Sequence, residues 1–224
     1  MAEFPSHVPV RCRGDLRRDP DLRFSAVTFA AAVALATSTI SGAAGAQELG
    51  AHLPEVRTLL RDKHYLPALE SLRLVAIEIQ ELRLAALSPA LPQEPAGWTT
   101  QPPRSLLEEE ELLSSRARVE RVYTAPGPMR MAIEVDVNSP EAPAVAQSFN
   151  PLALAADPTA RLVEFGGEKA LVRFNADTRE GEVLVLPGRN LLVRVTGSGF
   201  VSPETLVDLA RRVDFPLLRS LSER

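Results

Sequence analysis

Cysteine and histidine are scarce in this chain: of 224 residues, one is Cys and three are His. A single thiol, Cys12, cannot form an intramolecular disulfide or supply the repeated thiolate ligands of a structural zinc site. His52 and His64 do not have a recognised metal-ligand spacing, and a Ser-His-Asp arrangement would have to use one of them far in sequence from the strand-rich region. We therefore expect no catalytic residue, no metal site and no cofactor.

Aromatic residues and an excess of basic charge are also lacking. Phe, Tyr and Trp make up 5% of the chain, and 25 Lys and Arg stand against 29 Asp and Glu, a net charge of −4. This acidic balance disfavours nonspecific binding to nucleic acid, and we expect no nucleic-acid partner. The hydrophobic fraction of 45% is that of a folded domain rather than a disordered chain.

An uncharged segment, residues 24–46, follows an N-terminal region with five arginines and ends in Ala44-Gly45-Ala46. This order is typical of a secretory signal peptide and predicts cleavage before Gln47 after an extended N-terminus. Cleavage removes Cys12, and a mature chain without disulfides suits the bacterial periplasm. The alternative is a membrane anchor over residues 24–46. The Ala- and Thr-rich composition favours cleavage, with no stable membrane insertion afterwards.

Residues 47–88 predict a helical hairpin. Apolar residues recur at three- and four-residue steps, and Pro67 lies where a second helix would begin, after a turn around 62–65. Residues 89–115 contain five prolines and predict a strap followed by a short acidic helix at Glu108–Glu111. Trp98 is the only tryptophan. We expect it to pin the strap to the core; the alternative is stacking on a ligand.

Residues 116–224 alternate in the manner of strands. Met131, Ile133 and Val135 alternate with polar residues, which predicts a strand paired with residues 116–124. A short helix near 139–149 and four strands at 161–165, 170–175, 181–186 and 190–196 follow, and a helix begins near Pro203. The fold class is α+β: an N-terminal helical hairpin, then an antiparallel sheet of about six strands packed with a C-terminal helix.

Charged residues on the predicted sheet offer the remaining candidate contacts. Glu134 and Asp136 alternate with the apolar residues of one strand and are expected on a solvated face. Four arginines are expected to share an exposed face: Arg173, Arg179, Arg189 and Arg194. There they would hold an anionic ligand or an acidic partner, or simply complement nearby Glu. With Trp98, we take Arg173, Arg189 and Arg194 as candidate ligand or partner contacts.

Short motifs spread along the chain resemble a group of uncharacterised bacterial exported proteins. The motifs are Ala68-Leu69-x-x-Leu72, Leu91-Pro92-x-x-x-x-Gly97-Trp98, Arg121-x-Tyr123, Asn138-Ser139-Pro140, Asn150-Pro151, Gly166-x-x-Lys169-Ala170, Gly181-Glu182 and Val195-x-Gly197-x-Gly199. The resemblance implies a periplasmic protein with N-terminal helices and a strand-rich C-terminal domain. The order of elements in the strand region also resembles the Mog1/PsbP-like folds, which are largely non-catalytic adaptors.

These observations favour a non-catalytic binding or protein-interaction module of the bacterial envelope. Its expected partner is an envelope protein or a small ligand. Two alternatives belong to other classes: a carrier of an apolar ligand, which needs a sizeable apolar cavity, and a hydrolase acting on envelope polymers, which needs a pocket of converging charged groups.

Overall fold

Two antiparallel helices open the part of the chain that the computed structural model describes, residues 42–222. Helix α1 runs from Gly42 to Arg61 and helix α2 from Tyr65 to Leu87, and the two pack against each other. The predicted hairpin is confirmed. The predicted signal peptide lies outside the described residues except for its last five positions, where α1 has already begun. Within residues 42–222, no helix combines the length and apolar character that crossing a bilayer requires.

A tight helix-ending turn joins the two helices. The amide of His64 donates to the carbonyl of Leu59 at 2.8 Å, and the amide of Lys63 donates to that of Leu60 at 3.2 Å. These two bonds form a Schellman motif, which requires a left-handed residue after the helix. Lys63 takes that conformation, with a φ of 60°. The turn is therefore rigidly closed although its left-handed position is not a glycine.

The proline-rich strap lies along the edge of the sheet. After a 3-10 turn at Ser88–Ala90, it contributes two short strands, β1 (Thr99–Thr100) and β2 (Arg104–Ser105), and it ends in a 3-10 turn at Glu109–Glu111. Both strands pair with β3, and the two prolines between them, which have no N–H to donate, interrupt the ladder. The strap has the predicted position, and the short acidic helix predicted at Glu108–Glu111 is a single 3-10 turn at Glu109–Glu111.

The main sheet is antiparallel and contains eight strands. Its order is β1-β3-β4-β8-β7-β6-β5, with β2 also on the outer edge of β3. The long strands are β3 (Ala117–Thr124), β4 (Arg130–Val137), β5 (Ala160–Phe165), β6 (Glu168–Asn175), β7 (Glu180–Gly188) and β8 (Leu191–Ser198). These are the six predicted strands, so the fold class is confirmed; β1 and β2, two residues each, were not predicted.

Four short helices pack against the two faces of the sheet. They are α3 (Ala142–Ser148), α4 (Pro151–Ala156), α5 (Glu204–Arg211) and α6 (Phe215–Ser222). Asn150 caps α4 by accepting a hydrogen bond from the amide of Leu152 at 2.9 Å. The predicted C-terminal helix is α5, and a separate helix, α6, follows it because Asp214 accepts from the amide of Leu217 at 2.9 Å and starts a new turn.

The two faces of the sheet differ in character. One face carries the main core, in which Ile133, Val135 and Val193 are fully buried beneath α5, α6 and the C-terminal half of α2. The other face has only a small apolar cluster, Leu171, Leu184 and Leu192, which packs with residues of α3 and α4. The rest of that second face is mainly polar and charged, with Val122 and Ala132 as apolar exceptions, and we call the second face the polar face.

Candidate functional site

A continuous ladder of ion pairs crosses the polar face. Arg118 on β3 pairs with Glu134 on β4 at 2.6 Å, and Arg194 on β8 lies 4.0 Å from Glu134 and 3.1 Å from Glu182 on β7. Strand register places Glu134 directly opposite Arg194. Because each arginine pairs with at least one carboxylate, the ladder neutralises its own arginines.

The ladder continues to the edge of the sheet and to the covering helices. Arg173 on β6 lies 3.4 Å from Glu182 and 3.1 Å from Asp157, and Arg194 also reaches Glu141 at 2.6 Å. Burial lowers the pKa of Arg194, but the hydrogen bond to Glu141 and the nearby carboxylates outweigh it and raise the pKa overall. Hydrogen bonds from Thr159 and the Arg173 guanidinium lower the pKa of Asp157. Both shifts favour the charged forms, the guanidinium of Arg194 and the carboxylate of Asp157.

Asp136 departs from the predicted solvated face. Asp136 is only 1% exposed, and its carboxylate accepts hydrogen bonds from Nε and Nη2 of Arg116 at 2.8 and 2.7 Å. Arg116 also donates to Glu111 of the strap at 2.6 Å. The prediction is wrong for Asp136 because Arg116 and the strap cover the end of β4, a coverage that strand alternation does not reveal.

The four arginines expected to share one face do not form one cluster. Arg173 and Arg194 lie on the polar face, joined through Glu182. Arg179 lies in the turn between β6 and β7, and Arg189 lies in the turn at the opposite end of β7, nine residues of strand away. Arg189 lines an open cavity of about 380 Å³ together with Arg219, whose guanidinium pairs with Glu168. No common anion site joins these arginines.

Trp98 is packed against the main core. Its ring is stacked on that of Phe200, with centroids 6.0 Å apart and an angle of 7° between the planes. The strap is further held by Arg121 Nη1 and the Tyr123 hydroxyl, which donate to the carbonyl of Pro92 at 2.9 and 2.7 Å. This arrangement agrees with the interpretation of Trp98 as a plug that pins the strap.

The cavities of the described residues are open or small. A groove of about 350 Å³ opens at one end of the polar face, between β4, β8 and β7, and Arg130 and Glu180 are its charged lining residues. The cavity between α2, α6 and the sheet measures about 70 Å³. That is well below the roughly 300 Å³ at which small-molecule sites begin. Within residues 42–222, no group of three or more His, Cys, Asp or Glu is arranged to hold a metal ion.

The helical hairpin carries most of the exposed large apolar side chains of the described chain. Ala76, Gln80 and Leu87 of α2 are buried against the domain. Leu69 precedes Ala76 by seven residues and Tyr65 precedes Leu69 by four, so both lie on the same flank of the helix. Those two are 62% and 60% exposed, and Leu66 beside them is 80% exposed. One flank of α2 is therefore covered in its second half and uncovered in its first. The further exposed apolar residues of the hairpin are Leu53, Leu60, Leu74, Ile79 and Leu82.

Cations surround the uncovered end of the hairpin. Arg57 and Arg61 lie in the last turns of α1, and Lys63 lies in the loop; all three are exposed. Among the described residues, no carboxylate lies within ion-pair distance of these three groups. We call Leu60, Tyr65, Leu66 and Leu69 with these three cations the hairpin tip. The sequence contained the apolar stripe, but periodicity does not show where the domain stops covering it.

Comparisons with protein-family models, with curated proteins and with solved structures found no match. The function is therefore argued from the surfaces described above.

Proposed function

We propose that the protein is a non-catalytic interaction module of the bacterial envelope that makes contact through its helical hairpin. The observation that carries this proposal is the exposure of Tyr65, Leu66 and Leu69 at 60%, 80% and 62% on neighbouring turns of one helix. Isolated exposed apolar residues are common on protein surfaces, but a contiguous group of large ones is typical of a binding surface.

The charged groups of the sheet support a binding module over a hydrolase. The carboxylates of Glu134 and Glu182 pair with Arg118, Arg173 and Arg194, so they stabilise the sheet and are not free to act as acid and base. The 70 Å³ cavity between α2, α6 and the sheet favours an interaction module over a carrier of an apolar ligand.

The location in the envelope is part of the proposal and rests on residues 24–46 and the resemblance to bacterial exported proteins. If it is correct, the protein recovered from the periplasmic fraction of its source begins near Gln47. A chain that begins at Met1 in the cytoplasmic fraction would contradict export.

A capture experiment with matched variants tests the binding surface. Tagged chain is incubated with envelope extract, and the retained proteins and lipids are quantified by mass spectrometry. The substitutions Tyr65→Ser, Leu66→Ser and Leu69→Ser in one chain are expected to abolish retention, because they remove the exposed apolar groups without opening a core cavity. The matched control is Leu113→Ser, Leu152→Ser and Val201→Ser, three residues that are 79%, 81% and 84% exposed elsewhere. Equal loss in both chains would overturn the proposal.

A further inference from the structure

We propose that the hairpin tip docks on an anionic lipid surface, inserting its apolar side chains among the headgroups. This inference rests on the proposed function and names the partner of the same surface. It concerns peripheral contact and leaves the prediction of no stable membrane insertion in place.

The apolar part of the tip has the form that an interfacial contact requires. At 100° per residue, Tyr65, Leu66 and Leu69 span an arc of about 100° on the first two turns of α2. Leu60, 47% exposed, lies next to the turn on α1. Tyr is suited to such a boundary because its ring is apolar and its hydroxyl remains hydrated. The tip is the end of a hairpin and its apolar side chains are strongly exposed, so it can enter a soft surface without a matching groove.

The charge of the tip points to an anionic partner. Residues 57–69 contain Arg57, Arg61 and Lys63 against one acidic residue, Asp62, a local charge of +2 in a chain of net charge −4. Of the two carboxylates that flank this segment, Glu70 pairs with Arg73 at 3.4 Å and Glu55 lies 3.7 Å from His52. The long stems of Arg and Lys keep their charged ends at headgroup level while the apolar groups beside them are buried. Cations near an anionic membrane surface strengthen binding, and their effect falls with salt.

The same observations disfavour a second copy of the chain on the tip. Contact between two tips would bring Arg57, Arg61 and Lys63 of one copy against those of the other. The four apolar side chains also offer only a few hundred Å² at most, below the roughly 800 Å² per partner of a stable protein interface.

A position-specific label on the 224-residue chain tests the inference. Replacement of Cys12 by Ser allows a single new cysteine, Leu66→Cys at the tip or Leu152→Cys as control, to carry a polarity-sensitive dye. Leu152 is 81% exposed, which matches Leu66 at 80%. Vesicles of phosphatidylcholine with and without phosphatidylglycerol are added. Because the dye reports its own position, the response of the tip is separated from any contribution of residues 24–46.

We expect the emission at position 66 to shift to shorter wavelength with phosphatidylglycerol vesicles only, while the emission at position 152 stays unchanged. Arg57→Gln with Arg61→Gln should raise the lipid concentration for half-maximal shift about 25-fold, since each cation near an anionic surface contributes roughly a fivefold factor. Lys63→Gly should also weaken the response, and because glycine suits the left-handed position, a folding defect would not explain that loss.

Three results would overturn the inference: no shift at position 66, an equal shift with phosphatidylcholine alone, or a shift that depends on protein concentration without vesicles, which would indicate a second copy. If vesicles give no shift but envelope extract is still captured through Tyr65, Leu66 and Leu69, the partner is a protein and the lipid inference alone fails. If both experiments fail, the proposed function fails as well.

Discussion

Arg116 and Asp136 form a bidentate ion pair between the start of β3 and the end of β4, with Nε and Nη2 lying 2.8 and 2.7 Å from the two carboxylate oxygens. Hydrogen bonding to Asp136 is the main cause that raises the pKa of Arg116, so the guanidinium stays charged. Since Arg116 also binds Glu111 of the strap, the pair joins the strap to the sheet. The polar face is thus a structural network at this end.

Asp136→Asn should lower the free energy of unfolding by about 3 kcal/mol, because it leaves Arg116 partly buried without its main counter-charge. Urea denaturation of both chains measures the change. Glu204→Gln is the control: Glu204 pairs with Arg161 at 2.9 Å, but both side chains are more than half exposed. Its loss should cost much less, because water and salt screen an exposed ion pair. Equal losses in the two variants would show that burial of Asp136 has no energetic role.

Alkaline pH should destabilise the protein through Tyr123. Burial raises the pKa of its hydroxyl to about 12 from an ordinary 10.0, partly offset by the charge of Arg121. Because the folded-state pKa is the higher one, the contribution of the protonated phenol is complete below about pH 10 and is lost as the pH rises through 10 towards 12. The chain has two tyrosines, so Tyr65→Phe leaves Tyr123 as the only one. In that variant, tyrosinate absorbance should rise near pH 12, and a midpoint at pH 10 would show that Tyr123 is solvated.

Lys63→Gly should stabilise the protein by about 1 kcal/mol, because Lys63 has a left-handed φ of 60° that costs an L-residue energy and glycine none. Chemical denaturation measures the gain. Lys63→Ala removes the same charge but keeps the unfavourable conformation, so it should give no gain. A similar gain in both variants would assign the effect to charge rather than to the backbone.

Gly197→Ala should destabilise the protein by about 2 kcal/mol through overpacking. A Cβ there would lie 2.5 Å from Leu206 Cδ2 and 2.6 Å from Phe200 Cε2, both in the core beneath β8. Gly188→Ala is the matched control on β7, since its only neighbour within 4 Å would be Leu191 Cβ at 3.7 Å. Thermal unfolding should separate the two variants, and an unchanged Gly197→Ala would mean that α5 can shift at little cost.

The strands and helices followed from sequence because their patterns are local. Met131, Ile133 and Val135 alternate with residues of the other face, and each of them is fully buried. The turn predicted around 62–65 was also locally specified, and it is the turn that contains Lys63. β1 and β2 were missed because each is two residues long and Pro102 and Pro103 separate them. Such a segment has the sequence pattern of an irregular loop.

The burial of Asp136 and the exposure of the hairpin tip were not predictable from local patterns. Asp136 is covered by Arg116 and the strap, segments whose position depends on the assembled sheet. Tyr65 and Leu69 belong to the same helical stripe as Ala76 and Leu87, so periodicity alone predicts burial for all four. Only the extent of the domain beneath α2 separates the covered residues from the exposed ones.

The most direct test of the account is photo-crosslinking inside the source organism with a diazirine amino acid at position 66 or at position 152. We expect crosslinks to an envelope component, lipid or protein, at Leu66 on the hairpin tip and none at Leu152, which is equally exposed. Equal labelling at both positions, or none at position 66, would contradict the claim that the hairpin tip is the contact surface of this protein.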